Sequence, residues 1–410
     1  MKTIAVIGGG PAGSALATFL IQAGHKVTLF DDGKRPNLTV GESLIPSVIP
    51  ILRKLGVEAR VAAIGLRKPG VTFKLNEGED INFTFAPVVR CGLPTYAYNV
   101  PRFEFDMILK DRALEVGAIR VPFKAEVEVK QPNRIQLTAE TVMKAPSLNG
   151  EQPDLLVDAT GRNRLFARTL NIATRSGPRK DVAYFAHFED CAQEGPLGQV
   201  LIGRMKNGWC WRIPLPGRLS IGIVLSREAA AELGDSAEER LMGAIRSDPS
   251  LSAISVNAKR VTDVAVYSNY QLVSEQGHGP GWVMIGDAFG FVDPMLSPGM
   301  HLALSSAELL AKKLDDLPGF STSIQSQLGA WMELIEYYYD GTMFAMYHTG
   351  QDIIRRFDSP LTRIMNRHIE TRIACMASGA TTTSTYSRRL IKFMAKHGIW
   401  QIDPTTLAIS

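Results

Sequence analysis

Four residues near the start of the chain carry the clearest chemistry. Gly8, Gly10 and Gly13 lie in the run Gly8-Gly-Gly10-Pro11-Ala12-Gly13, and Asp31 follows 18 residues after Gly13. Gly8 suits a tight turn, Gly10 lets a pyrophosphate approach the backbone, and Gly13 lets a helix pack closely on the preceding strand. Pro11 and Ala12 fall at the start of that helix, where free N–H groups and the positive end of the dipole attract phosphate. Asp31 is placed to take ribose hydroxyls. This is dinucleotide-binding chemistry.

Three further positions fit the same ligand. Gly286-Asp287-Ala288 ends the apolar run Gly281–Ile285, and a carboxylate there suits a ribityl hydroxyl; a simple turn is the plainer reading. Arg102 opens a helical stretch, as a partner for pyrophosphate or as a surface arginine. Asp158-Ala-Thr-Gly161-Arg162 closes a buried strand with a turn.

The elements that must position these residues follow from periodicity. Residues 3–31 read as strand, glycine turn, helix and strand. An apolar pattern through Ile49, Leu52 and Leu55 predicts a helix stopping at Gly56, and Pro101 with Gly117 brackets another. Residues 71–100, 119–150 and 181–270 read as strands, and helical periodicity runs from Ser297 to about residue 396. The expected fold is α/β: a Rossmann-like βαβ dinucleotide-binding domain interleaved with a β-sheet substrate domain, plus a C-terminal helical region. The expected division is 1–75 with 100–170 and 275–315 for the dinucleotide-binding domain, 76–99 with 171–274 for the substrate domain, and 316–410 for the helices.

Composition excludes several classes. A formal charge of +4 is too small to imply nucleic acid as partner. Between Arg355 and Lys396, however, nine Lys or Arg stand against only Asp358 and Glu370, a solvated face or a guide for an acidic partner. The four cysteines form no Cys-x-x-Cys pair, so neither a metal site nor a disulfide is expected, and the cytoplasm is the default. No apolar run reaches the roughly 18 residues of a membrane span.

Taken together, Gly8-x-Gly10-x-x-Gly13, Asp158-Ala-Thr-Gly161-Arg162 and Gly286-Asp287-Ala288 resemble the FAD-dependent monooxygenases of the glutathione-reductase type. Gly41-Glu42-Ser43-Leu-Ile-Pro46-Ser, Gly208-Trp209-Cys-Trp211-Arg-Ile213-Pro214 and Asp293-Pro294-Met-Leu-Ser297-Pro298-Gly299-Met300-His301 resemble the flavin-dependent halogenase branch. The resemblance covers residues 1 to about 315.

This resemblance implies FAD as cofactor, reduced by NAD(P)H directly or through a partner flavin reductase, and oxygen activated as a flavin hydroperoxide. Glu42 and Ser43 would lie in a loop covering the flavin, with Pro294, Gly299 and Met300 beneath it. Gly65-Leu-Arg-Lys68-Pro-Gly70 resembles the stretch carrying the halogenase lysine, with Lys74 a second candidate and a surface lysine the plain alternative. Trp209 and Trp211 share a strand face and would line the tunnel from flavin to substrate, or simply pack in the core. His301 is expected to cap or pack, with a catalytic base as the alternative. The substrate would be an electron-rich aromatic, indole or phenol, free or presented on a peptide or carrier protein; one related group modifies tryptophan within peptides or proteins.

Hydroxylation and halogenation divide at Ser297-Pro298-Gly299, where the family holds halide on successive N–H groups. Proline has none, and one lost hydrogen bond to an anion costs about 1.5–3 kcal/mol. The sequence reading therefore favours hydroxylation, with halogenation through Lys68 next and a non-oxygenating FAD carrier third.

Overall fold

Residues 4–7 of the strand Thr3–Ile7 are apolar and buried on both faces, as a central strand of a parallel sheet covered on both sides demands. The computed structural model describes all residues except 77, 78, 269, 270, 399, 401 and 410. Thr3–Ile7 pairs in parallel with Lys26–Phe30 and with Leu155–Asp158, and Leu155–Asp158 pairs in parallel with Trp282–Met284. Ile119–Val121 and His278–Gly279 complete six strands. Ile7 is in register with Asp158, and Asp158 with Met284. Three turns, beginning at Gly8, Ala159 and Ile285, therefore leave the same sheet edge side by side, the place where parallel α/β sheets bind ligands.

A larger sheet runs in the order Lys259–Arg260, Val182–Glu189, Arg218–Leu225, Gly208–Leu215, Val200–Met205, Gly70–Asn76, Glu79–Thr84, with Ala265–Ser268 also pairing to Val182–Glu189. Strand alternation sends Trp209 and Trp211 into the main core and Cys210 into a second cluster on the opposite face. Gly70–Asn76 belongs to this sheet, so the boundary drawn after residue 75 falls inside a strand. The three-part domain division otherwise stands as our proposal.

The stretch 181–270, read as strands, also holds the helices Arg227–Ala231, Ala237–Ser247 and Pro249–Ile254. Their start signals are local: Ser226, Ser236 and Asp248 cap them, and Ser236 with Glu239 forms a capping box. Helices Gly299–Lys312, Leu317–Tyr339, Thr342–Arg356, Pro360–Ala377 and Thr385–His397 realise the expected C-terminal periodicity.

The expectation of no disulfide fails. Cys91 and Cys375 are bonded with Cα atoms 6.4 Å apart, tying the turn Ala86–Cys91 to helix Pro360–Ala377. Spacing could not reveal a pair separated by 284 residues that only the fold brings together. The inference of a reducing compartment, drawn from unpaired cysteines, loses its basis. Among the described residues, no helix is long and apolar enough to cross a membrane.

Candidate active site

The glycine turn opens the site. Gly8 has φ +112°, and a Cβ there would lie 2.4 Å from the Ala159 carbonyl oxygen. A Cβ on Gly13 would lie 1.9 Å from the Gly8 carbonyl oxygen, so Gly13 packs behind the turn and not on the cavity wall. A Cβ on Gly10 would meet nothing within 4 Å. Gly10 faces a cavity of about 540 Å³ at the start of helix Pro11–Gln22, and Pro11 and Ala12 line the same cavity. This open cradle at a helix N-terminus fits a pyrophosphate.

Asp31 lines the cavity with its carboxylate held by Lys110 at 3.0 Å and the Gly33 N–H at 3.3 Å. Burial works to raise its pKa, but the Lys110 bond and the charges of Lys110 and Arg35 outweigh it and leave the carboxyl below the usual range. Arg102 also reaches the wall, paired with Asp106 at 3.1 Å and donating to the Val40 carbonyl. Arg35, absent from the sequence reading, pairs with the same Asp106 at 3.1 Å. Asp287 and Gly161 line the cavity too, and burial pushes the Asp287 carboxyl up to about 6 against the pull of Arg102 and Arg162. Gly286 lies outside the wall, its N–H donating to Ser306 Oγ at 3.0 Å. Asp158 shapes the Gly161 turn by accepting the Thr160 and Phe166 N–H groups.

Glu42, Ser43, Trp209, Trp211, Pro294, Gly299 and Met300 also line the cavity. Glu42 meets His187 at 2.5 Å with both side chains buried, tying the segment that carries Glu42 to the large sheet. The sequence reading missed His187; its one signal is a polar residue within the apolar strand Val182–Glu189.

Lys68 is 1% exposed and donates to Ser43 Oγ at 2.7 Å and to the Leu44 carbonyl at 3.1 Å. It is therefore neither a surface lysine nor part of the cavity wall: Ser43 stands on the wall with Lys68 directly behind it. Phe85 covers it, its ring centre 5.4 Å from Nζ. Burial lowers its pKa to about 7, so a large fraction is neutral amine near neutrality. Lys74 is instead tied to Glu194 at 2.8 Å and Asp80 at 3.2 Å.

The tryptophan rings lie 5.8 Å apart between centres, tilted at 49° to one another. Trp211 Nε1 donates to Ser220 Oγ at 3.3 Å, and Trp209 Nε1 donates to the hydroxyl of Tyr339 at 2.9 Å. Tyr339 ends a C-terminal helix in which no motif was recognisable. His301 is buried: Nδ1 meets Ser47 Oγ at 2.9 Å, and burial lowers its pKa to about 4.

Pro298 does not line the cavity, although Ser297 and Gly299 do. It is the cap of helix Gly299–Lys312, and its carbonyl accepts the Leu302 N–H at 2.9 Å. A proline there removes no helical hydrogen bond, and the N–H groups of Gly299, Met300 and His301 remain as first-turn donors. The donor deficit inferred at Pro298 is thus one group beside a helix N-terminus that still supplies three.

Comparison with known proteins bears on the same point. A model of the tryptophan halogenase family matches residues 3–93 and 91–343. A tryptophan 2-halogenase of Chondromyces crocatus is 32% identical over 333 residues, covering 77% of this chain and 61% of that protein. The flavin-dependent halogenase rdc2 of Metacordyceps chlamydosporia is 31% identical over 339 residues, covering 74% and 63%. The chain thus spans a little over three fifths of the length of these two relatives. A 1H-pyrrole-2-carbonyl-[peptidyl-carrier protein] chlorinase of Pseudomonas fluorescens is 27% identical over 375 residues, covering 82% and 83%. Among solved structures, the flavin-dependent brominase Bmp2 superposes with a TM-score of 0.75 at 21% identity, over 97% of this chain and 100% of that one. A flavoprotein/dehydrogenase from Cytophaga hutchinsonii gives 0.78 at 22%, over 96% and 98%.

Hydroxylation, the reaction favoured from the sequence, is overturned by these named halogenases; a single missing N–H at Pro298 was too small a signal to carry it. By the match of its own family model across most of its length, the chain belongs to the tryptophan halogenase family.

Proposed function

We propose that this protein is a flavin-dependent halogenase that binds FAD in the 540 Å³ cavity and halogenates an electron-rich phenol, pyrrole or indole. The observation that carries this reading is Lys68, fully buried and hydrogen-bonded to the cavity-wall residue Ser43. Gly8, Gly10, the first turn of helix Pro11–Gln22 and Arg102 would hold the pyrophosphate, Asp31 the ribose and Asp287 the ribityl chain. Reduced FAD, supplied by NAD(P)H through a partner flavin reductase, would activate oxygen so that a halide is oxidised to hypohalous acid.

The protein's own part is containment and relay. Gly299, Met300 and His301 present N–H groups at a helix N-terminus, which favours an anion there. Trp209 and Trp211 keep one wall apolar and exclude water. Lys68, with its pKa lowered by burial to about 7, offers a neutral amine that a protonated surface lysine does not. Swung past Ser43 into the cavity, the amine nitrogen would take the halogen from hypohalous acid and lose a proton, which leaves with the hydroxide as water; the aromatic ring would then take the halogen and return a proton to the nitrogen. A ring tethered to a carrier protein is one form of the substrate, since one relative is named a carrier-bound pyrrole chlorinase.

Lys68→Ala tests this directly. Flavin oxidation should continue at near the wild-type rate while halogenated product falls by at least about 100-fold, as for loss of a group acting in the chemical step. Unchanged product yield would remove Lys68 from the mechanism.

A further inference from the structure

The loop Asp293–Pro298 carries backbone strain at the cavity wall. Leu296 and Ser297 both lie in the left-handed region, at φ +65° and +58°, a conformation that residues with a Cβ adopt only when held there. Something must hold them. Asp293, 1% exposed, accepts the Met295 N–H at 2.9 Å on Oδ1, and the Ser297 N–H bonds the Pro294 carbonyl at 3.0 Å. The same Oδ1 accepts the Tyr339 hydroxyl at 3.0 Å, and that hydroxyl in turn accepts the Trp209 indole N–H at 2.9 Å. Tyr339 is itself fixed from two sides. The Arg179 guanidinium stacks 3.6 Å from its ring centre, and the Ile409 N–H donates to its carbonyl at 2.9 Å. Burial of Tyr339 and Trp209 leaves neither polar group a replacement partner in water.

We propose that Asp293 and Tyr339 are positioning residues that lock the strained turn 294–298 and the indole of Trp209 into one unit. The unit itself rests on geometry alone; that it serves halide use rests on the halogenase reading. Pro294 and Ser297 of the turn and Trp209 all line the cavity, so loosening the unit moves the loop below the flavin and the wall beside it together.

The test uses the FAD-loaded full chain and three variants: Tyr339→Phe, Asp293→Asn and Asp293→Leu. Asparagine keeps an oxygen that can accept both hydrogen bonds, whereas leucine keeps none. The first readout is the nuclear magnetic resonance signal of the Trp209 indole N–H, identified by its loss in Trp209→Phe. Tyr339→Phe and Asp293→Leu should shift it upfield and speed its exchange with water, and Asp293→Asn should leave it in place. The second is bromide dependence: one lost hydrogen bond should raise the bromide KM by about fivefold, with a smaller change in kcat. An unmoved indole signal in Tyr339→Phe would overturn the proposal, as would Asp293→Asn behaving like Asp293→Leu. If Asp293→Leu fails to fold, Tyr339→Phe and Asp293→Asn still decide. Wild-type protein that makes no halogenated product would sink the halogenase reading, while the indole signal would still judge the unit.

Discussion

At the residue scale, the central feature is a lysine kept where a charge is costly. Its amine has its pKa lowered to about 7 by burial, whereas the unfolded chain holds it near the ordinary 10.5. Between those values the unfolded state binds a proton that the folded state does not. Wild type therefore loses stability as pH falls from about 10.5 to about 7, and the loss levels off below 7 where both states are protonated. Against Lys68→Met, which cannot titrate, the stability difference should change by up to about 1.4 kcal/mol per pH unit across that window. Denaturant melts of both proteins between pH 6 and 9 check this, and parallel curves would show that Lys68 titrates normally. Lys68 was singled out in the sequence as a candidate, but its burial was not legible there: Ser43 and Phe85 enclose it, and both come from other parts of the chain. His187 and Tyr339 escaped notice for the same reason, since each acquires its partner only on folding.

At the element scale, the glycine turn divides two tasks between Gly10 and Gly13. A Cβ on Gly13 would press into the Gly8 carbonyl, while a Cβ on Gly10 would enter open cavity. Gly13→Ala should therefore destabilise the ligand-free protein by about 1–3 kcal/mol through overpacking. Gly10→Ala should change ligand-free stability by less than about 1 kcal/mol yet weaken FAD binding by at least about tenfold, because the methyl group stands where the pyrophosphate approaches. Thermal melts without FAD and flavin titrations separate the two effects; equal FAD affinity in Gly10→Ala and wild type would move the pyrophosphate elsewhere. This turn was fully legible, because every signal it needs lies within residues 3–31. The helices at 227–254 were not, because the apolar strands flanking them masked three short capped segments.

At the scale of the whole molecule, two of the contacts that fasten the C-terminal helices to the rest of the chain bear on the site. Tyr339 joins Trp209 and Asp293, and Cys375 joins Cys91 in the turn that follows Phe85 over Lys68. A crosslink closing so long a loop stabilises by about 2–4 kcal/mol, mainly through the unfolded chain. Unfolded without reductant, the protein should expose two thiols of its four cysteines, Cys191 and Cys210. Cys91→Ser should lower stability by about that 2–4 kcal/mol in non-reducing buffer. Four reactive thiols in the oxidised, unfolded protein would show that the bond does not form. The overall α/β plan was readable because periodicity and motif order carry it, whereas the long-range fastenings were not, since neither cysteine nor tyrosine spacing records them.

The choice between halogenation and oxygenation is settled by the product. Purified protein with FAD, a flavin reductase, NADH and oxygen should be given an electron-rich phenol, pyrrole or indole, with and without bromide, and the products weighed by mass spectrometry. The account predicts a product bearing the paired isotope pattern of bromine, absent when halide is withheld and absent with Lys68→Ala. A product that instead gains one oxygen, in equal yield with and without bromide, would contradict it.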